Sequence, residues 1–163
     1  RESLAAAEML GARLFLKDLI DTEISSGGST VRLIEEVVRE VQPDIVYTHS
    51  TNDRHQDHRA VAEATIVATR QIGTVACYQS PSSTIDFRPT RFMRIEQFLQ
   101  RKLEVLECFA SQNANREYLN EDFIVATARY WTRFGGGTAV EPLEVVRESR
   151  ELAHSFEHLT LKG

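Results

Sequence analysis

The feature that most constrains the fold of this chain is the alternation of helix-like and strand-like segments along it. A helical segment, residues 1–10, precedes the short apolar run "ARLFLKDL", and a second helical segment precedes the run "DIVYTH". The uninterrupted apolar character of "DIVYTH" is typical of a strand that is buried on both faces of a parallel sheet. Such alternation is the pattern of βαβ units, so the sequence predicts an α/β fold with a mostly parallel sheet.

Local signals set the expected boundaries of the individual elements. We expect the first helix to end at Gly11, and the second to be capped by Ser29 or Thr30 and to end at Pro43. The later expected elements are a helix over 57–72, strands at "TVACYQS" and "RFMRI", helices over 98–109 and 123–134, and an edge strand at "EPLEVVRE".

Composition and charge exclude several classes of function. The chain has 163 residues, a net charge of −5 and scattered basic residues, so we expect no nucleic-acid partner. No apolar run approaches the roughly 20 residues that cross a bilayer, so we expect no membrane partner. Cys77 and Cys108 lie far apart, which favours reduced thiols and a cytoplasmic location. Without repeats or linkers, residues 1–150 are predicted to form one domain and residues 151–163 a C-terminal tail.

The segment "DRHQDHR" follows the predicted strand "DIVYTH" and concentrates charged and imidazole side chains. Ligand sites of open α/β sheets lie beyond the carboxyl ends of the strands, so this segment falls where such sites are built. His55 and His58 are three residues apart at a predicted helix N-terminus, so both rings can face one way. Imidazole is a favoured zinc donor, and Asp53 or Asp57 could accept the other ring N–H. The other candidate donors are His49 and Asp21.

A purely structural explanation of the same segment remains open from the residues alone. Asp57 would then cap the helix, and the histidines would be ordinary polar residues of a solvated loop, since His-x-x-His alone is a weak motif. A catalytic zinc ion usually has three protein ligands, and the spacing of these loop residues does not by itself ensure that three of them reach one ion. The residues by themselves therefore indicate part of a metal site.

The stretch "PDIVYTHSTNDRHQDHRAV" closely resembles the His-x-Asp-His region of the PIG-L/LmbE-like zinc-dependent deacetylases. The similarity extends to "RESLAAAEMLGA", "YQSPSS" and "KLEVLECFASQ", and so reaches over most of the chain. The resemblance implies a Rossmann-like three-layer fold, a Zn²⁺ cofactor, and removal of acetyl groups from N-acetylglucosaminyl compounds or related N-acyl substrates.

Carried over position by position, the resemblance implies roles for individual residues. His58 is the expected zinc ligand. His55 is expected to stabilise the oxyanion and to protonate the leaving amine, while Asp57, the second expected catalytic residue, orients its neighbours. The expected substrate-binding residues are Arg1, Asp21 and Asp53.

One motif of the family has no counterpart in this chain. The family's Ala-His-Pro-Asp-Asp motif supplies two zinc ligands and the general base, whereas residues 1–43 contain no histidine. The resemblance therefore implies that the N-terminal strands are missing and that the chain alone is inactive. The alternative is a non-catalytic α/β module that binds a sugar or nucleotide without metal.

Overall fold

The protein was analysed as a computed structural model that describes residues 1–113 and 116–149. The helices are α1 (Glu2–Leu10), α2 (Gly28–Val41), α3 (Gln56–Ala68), α4 (Leu99–Glu107), α5 (Ala110–Asn113) and α6 (Glu121–Gly135). The strands are β1 (Ile45–Thr48), β2 (Thr74–Tyr78), β3 (Arg91–Arg94) and β4 (Val140–Glu148), and short 3₁₀ turns cover Glu96–Phe98 and Glu117–Leu119. The predicted tail, residues 151–163, lies outside the described residues.

The four strands form one open sheet in the order β1-β2-β4-β3, which confirms the α/β class. The expectation of a mostly parallel sheet is wrong, because only β1 and β2 are parallel, while β4 is antiparallel to both β2 and β3. The segment "EPLEVVRE" is also not an edge strand, since β4 lies between β2 and β3. The β1-α3-β2 unit is thus the one parallel crossover among the described strands.

Strand β1 differs from the doubly buried strand that its apolar run predicts. It pairs with β2 alone in the described sheet and leaves Ile45 46% and Tyr47 50% exposed. The buried centre of the sheet is β2, where Val75, Ala76 and Cys77 are almost inaccessible. The continuous apolar run therefore predicted the presence of a strand correctly. It did not predict that the strand lies at the edge of the described sheet.

The segment "ARLFLKDL", predicted as a strand, has no regular secondary structure. Strands persist only where a neighbour satisfies their backbone groups, and this segment lies along α2 instead of the sheet. Arg13 forms an ion pair with Glu40, and Lys17 with Glu36 at 2.9 Å. The segment therefore forms ion pairs with α2 instead of the expected hydrogen bonds to a neighbouring strand.

The helix boundaries test the capping predictions. Helix α1 ends as expected at Gly11, which adopts φ 62° in the left-handed region that glycine enters at little cost. Helix α2 begins after Gly27 and has no side-chain cap, so the expectation that Ser29 or Thr30 caps it is wrong. In the described residues no helix is both long and apolar enough to span a membrane. Both cysteines are free thiols, as predicted.

Candidate active site

The predicted site lies where two loops leave the carboxyl ends of β1 and β2. The backbone joins the loops directly: Asp53 and Ser83 form an isolated bridge, and Arg54 N–H donates to the Ser82 carbonyl at 3.0 Å. Adjacent parallel strands end at the same edge of the sheet, so their loops necessarily meet. This junction holds the histidine-rich loop against the serine-rich loop "SPSS".

Asp53 is the centre of the hydrogen-bond network between these loops. Its carboxylate accepts from the His55 N–H at 2.8 Å, from the Ser80 hydroxyl, and from His58 Nδ1 at 3.0 Å. Burial would raise the pKa of Asp53, but hydrogen bonds from Ser80, Ser82, His55 and His58 outweigh it and hold that pKa well below its usual range. The Asp53 side chain is therefore an ionised acceptor with 0% exposure.

The two ring nitrogens of His58 differ: Nδ1 is hydrogen-bonded to Asp53, and Nε2 is available for a ligand. Nδ1 faces the Asp53 carboxylate, and a lone pair there would be repelled, so Nδ1 carries the proton and donates it to Asp53. The Nε2 lone pair is then free to bind a metal, in the carboxylate–histidine arrangement that orients many zinc ligands. His58 also lines a cavity of about 600 Å³. Its geometry therefore fits one ligand position of a metal site.

His55 starts helix α3 and has a defined tautomer as a consequence. It is the N-cap residue, and its Nδ1 accepts the Asp57 N–H at 3.2 Å. An imidazole whose Nδ1 accepts carries its proton on Nε2, so this ring offers a hydrogen-bond donor on its far side. The alternative in which Asp57 caps the helix is wrong, because a histidine performs the task usually done by Ser or Asp.

Asp57 has a different task. Its carboxylate accepts the backbone N–H of Thr22 at 2.7 Å and that of Ile24 at 3.3 Å, and the residue is 5% exposed. It therefore fastens the loop after the "ARLFLKDL" segment to the start of α3. The carboxylate fixes the backbone at Thr22 and Ile24, and its expected role as a catalytic residue stays a prediction.

The three imidazoles of the loop form a stack. The His49 and His58 ring centroids are 3.8 Å apart, and their planes are inclined by 11°. The His55 ring also stacks on His58, with a centroid distance of 4.5 Å and an angle of 18° between the planes. Imidazole lone pairs lie in the ring plane, so nearly parallel rings do not direct two of them to one ion. Although donor atoms of His49, Asp53 and His58 lie within 4.8 Å of one another, the stack does not supply two ligands to one metal.

His49 contributes to this stack as a neutral ring. Burial, followed by the charge that a protonated His58 would carry, lowers the pKa of His49 to about 4. Its Nε2 is 3.0 Å from the Tyr78 hydroxyl, whose pKa burial and the Asp53 charge raise to about 12. Its Nδ1 is buried without a hydrogen-bond partner. An unsatisfied buried nitrogen is uncommon outside functional sites and marks a point where a ligand atom or water would be stabilised.

The remaining predicted site residues lie in different places. An Asp21 carboxylate oxygen is within 4.8 Å of donor atoms of His55 and Asp57, so the structure brings Asp21 to the site. Arg1 is exposed at the N-cap of α1 and does not line the cavity. Asp53, predicted to bind substrate, has no accessible carboxylate and instead orients His58, the alternative that spacing had also indicated.

Three residues position the site in a role that was not predicted from the sequence. Ser80 and Ser82 bind the Asp53–His58 pair, and Glu144 accepts from Ser50 and Asn52 of the loop after β1. The signal for the serines was present in "YQSPSS", which directly follows a predicted strand. Glu144 gave no signal, because a glutamate in a strand of alternating polarity looks like a solvent-facing residue.

A cavity of about 600 Å³ opens beside His49 and His58. Tyr78 and Ser80 form its wall near the histidines. The wall contributed by α4, α6, the 3₁₀ turn and β4 consists of Leu106, Leu119, Phe123, Ile124, Thr127, Ala128, Val140 and Pro142, together with Lys102 and Glu141. A cavity of this size and lining is typical of small-molecule sites.

Comparisons with known proteins agree with the class that this fold and site define, an α/β chain with a histidine–aspartate centre at the strand ends. Residues 1–69 match the model of the family described as PIG-L, GlcNAc-PI de-N-acetylase. The chain is 33% identical over 108 residues to YaiS, an uncharacterized deacetylase of Escherichia coli K12, a match that covers 66% of this chain and 50% of that protein. These matches confirm the predicted resemblance to the PIG-L/LmbE-like family.

Two further similarities widen the comparison. The chain is 29% identical over 133 residues to 4-oxalmesaconate hydratase of Pseudomonas putida, covering 72% of this chain and 52% of that protein. It therefore spans about half the length of the curated relatives it matches. The crystal structure of N,N'-diacetylchitobiose deacetylase from Pyrococcus horikoshii superposes with a TM-score of 0.75 at 18% identity, covering 88% of this chain and 61% of that one. The last similarity shows the fold alone.

Proposed function

We propose that this chain contributes to a zinc-dependent hydrolase that removes an N-acyl group from an N-acetylated sugar or a related substrate. The observation that carries the proposal is the Asp53–His58 pair, which commits Nδ1 of His58 and leaves Nε2 for a metal beside the cavity. The resemblance to the PIG-L/LmbE-like family supports the reaction class. The free thiols of both cysteines support the cytoplasm as the compartment.

The chain's own residues have distinct tasks in this hydrolysis. When bound, zinc supplies a water whose pKa falls to about 7 and polarises a carbonyl. His55 Nε2–H donates a hydrogen bond to the acyl oxygen as negative charge develops there, since its Nδ1 is committed to the start of α3. Protonation of the departing amine, which the resemblance also assigns to His55, would require the imidazolium form, because a neutral ring that lost this proton would become an imidazolate. Asp53 keeps His58 in its ligand tautomer throughout.

We propose that the chain alone does not complete this reaction. A catalytic zinc site has three protein ligands. Among residues 1–113 and 116–149 the geometry offers His58 and no second ligand aimed at the same ion, because His49 is stacked and Asp53 and Asp57 are engaged. Zinc binding by the isolated chain should consequently be weak and depend on one imidazole.

Titration of the chain with zinc, followed by the ¹⁵N resonances of the histidine rings, tests this proposal. We expect the Nε2 resonance of His58 to shift and the zinc effect to vanish in His58→Ala. Asp53→Asn should weaken binding about 10- to 100-fold, because it removes the negative charge and one of the two acceptor oxygens that orient the ring. Gln56→Ala, an exposed neighbour on the same turn, should bind zinc as the unmodified chain does. Zinc affinity that is unchanged in His58→Ala would falsify the proposed ligand.

A second reaction, hydration of a carboxylated alkene, has one observation in its favour, the 29% identity to 4-oxalmesaconate hydratase. A substrate of that kind requires positive charge in its cavity. Lys102 is the one lysine or arginine among the described cavity residues, and it is ion-paired with Glu141. The neutral cavity favours the hydrolase, and the binding experiment below separates the two reactions.

A further inference from the structure

The cavity beside His58 is larger and less polar than an acetyl group needs. Its described walls from α4, α6 and β4 are mostly hydrocarbon, and they continue directly from the histidines. We propose that this apolar wall binds the hydrocarbon chain of a substrate acyl group longer than acetyl. This inference rests on the proposed function and names the substrate class for it.

The cavity wall has no net charge, which favours an uncharged ligand. The Lys102 ammonium is held by the Glu141 carboxylate, so the pair adds no net charge for a ligand carboxylate. The aliphatic stem of a lysine held in this way adds further apolar surface to the wall. An acyl chain loses nothing in such surroundings, whereas a carboxylate would lose its hydration without gaining a free partner.

Two polar side chains beside the apolar wall each have one hydrogen-bond partner within the protein. Thr127 Oγ1 donates to the Phe123 carbonyl at 2.8 Å, and Gln79 Oε1 accepts the Trp131 indole N–H at 2.8 Å. Sugar hydroxyls placed here would exchange water for a wall that is mostly hydrocarbon. We therefore assign the apolar wall to the acyl chain, which leaves the more polar side near the loops for the sugar.

Two exposed aromatic residues of α6 provide a matched pair for the test. Phe123 lines the cavity and is 53% exposed, while Tyr130 is 51% exposed and does not line it. Truncation of each to alanine removes a similar aromatic surface from the same helix. Only Phe123→Ala should affect binding of a long acyl chain. Leu119→Ala, at the cavity wall on the 3₁₀ turn, serves as a second variant if Phe123→Ala does not fold.

The experiment measures binding of N-acetyl-, N-butanoyl-, N-hexanoyl- and N-octanoylglucosamine to the chain by calorimetry, with a chelator present. We expect Kd to fall about fourfold per added methylene until the cavity is filled, which corresponds to about 0.8 kcal/mol per buried CH₂. Phe123→Ala should weaken binding of the octanoyl compound about tenfold and leave the acetyl compound unchanged. Tyr130→Ala should change neither.

Two results would overturn the inference: Kd values independent of chain length, or equal effects of Phe123→Ala and Tyr130→Ala. A third is tight binding of a muconate-type dicarboxylate that is lost in Lys102→Met, which would favour the hydratase reaction. Since metal is excluded from this measurement, its outcome is separate from that of the zinc titration. Chain-length dependence without zinc binding would support the acyl site and contradict the hydrolase.

Discussion

His55 combines two tasks that are usually divided between residues. Its Nδ1 closes the first turn of α3 by accepting the Asp57 N–H, and this bond places the ring proton on Nε2. The ring also stacks on His58. The stability of α3 and the proposed chemistry therefore both depend on this side chain. Substitutions that keep a cap but remove the Nε2 donor distinguish the two roles.

Substitution of His55 should affect helix stability and the proposed chemistry separately. His55→Ala should lower the free energy of unfolding by about 1 kcal/mol, because α3 loses its cap, whereas His55→Asn should retain most of that stability. Both variants lack the Nε2 donor, so neither should support the proposed hydrolysis. Urea unfolding followed by circular dichroism measures the stability. Equal stability of His55→Ala and the unmodified chain would contradict the capping role.

The sequence predicted the arrangement of the two histidines but not which aspartate contacts which histidine. The spacing of His55 and His58 placed both rings on one side of a helix start, and the structure stacks them there. Spacing did not decide which aspartate orients which histidine. That choice depends on the turn between β1 and α3, in which Asp53 reaches His58 while Asp57 turns towards Thr22.

At the scale of elements, the antiparallel strand β4 holds the site loop in place. The Glu144 carboxylate accepts from the Ser50 hydroxyl, from Asn52 Nδ2 at 3.2 Å, and from the Arg88 N–H. One side chain of β4 thus joins the loop after β1 to the segment before β3. The geometry of the histidines depends on this contact, although Glu144 lies far from them in sequence.

Glu144→Gln should destabilise the chain by about 1–3 kcal/mol, because the amide group replaces one acceptor by a donor facing other donors. It should also weaken zinc binding, since the loop that carries His58 loses an anchor. Thermal unfolding and the zinc titration measure the two effects. Glu8→Gln, an exposed change of the same type, serves as the control. If both variants unfold and bind zinc alike, the anchoring role is wrong.

The direction of the strands was the main error at this scale. Parallel neighbours need a crossover of a dozen or more residues, usually a helix, and such a helix is predicted between "DIVYTH" and "TVACYQS". The turn-rich segment between "TVACYQS" and "RFMRI" contains no helical pattern. Helices α4, α5 and α6 separate β3 from β4 along the chain, yet these two strands are antiparallel, so a helical connection did not determine strand direction here. The central position of β4 could not be read from its sequence, because alternating polarity does not distinguish one strand position from another.

At the scale of the whole molecule, β1 forms one edge of the described sheet. Its free side carries backbone groups without a ladder partner among the described strands, and Tyr47 is 50% exposed beside them. Edges of this kind pair readily with another chain, and a lysine at the edge opposes such pairing.

We therefore expect the chain to self-associate as its concentration rises, and Tyr47→Lys to reduce the association. Tyr130→Lys, at 51% exposure on α6, should not. Sedimentation velocity over a range of concentrations measures the effect. A chain that sediments as a monomer throughout, or equal behaviour of the two lysine variants, would show that this edge is inert.

The bridge between Asp53 and Ser83 has a consequence for any attempt to reduce the protein to a smaller unit. The family match ends at residue 69, yet the hydroxyls that steady the Asp53 carboxylate belong to Ser80 and Ser82. A peptide cut at that limit would retain every histidine of the stack and lose the scaffold that aligns them. Water would then solvate the carboxylate, and the imidazole of His58 would turn freely instead of presenting one nitrogen to the cavity.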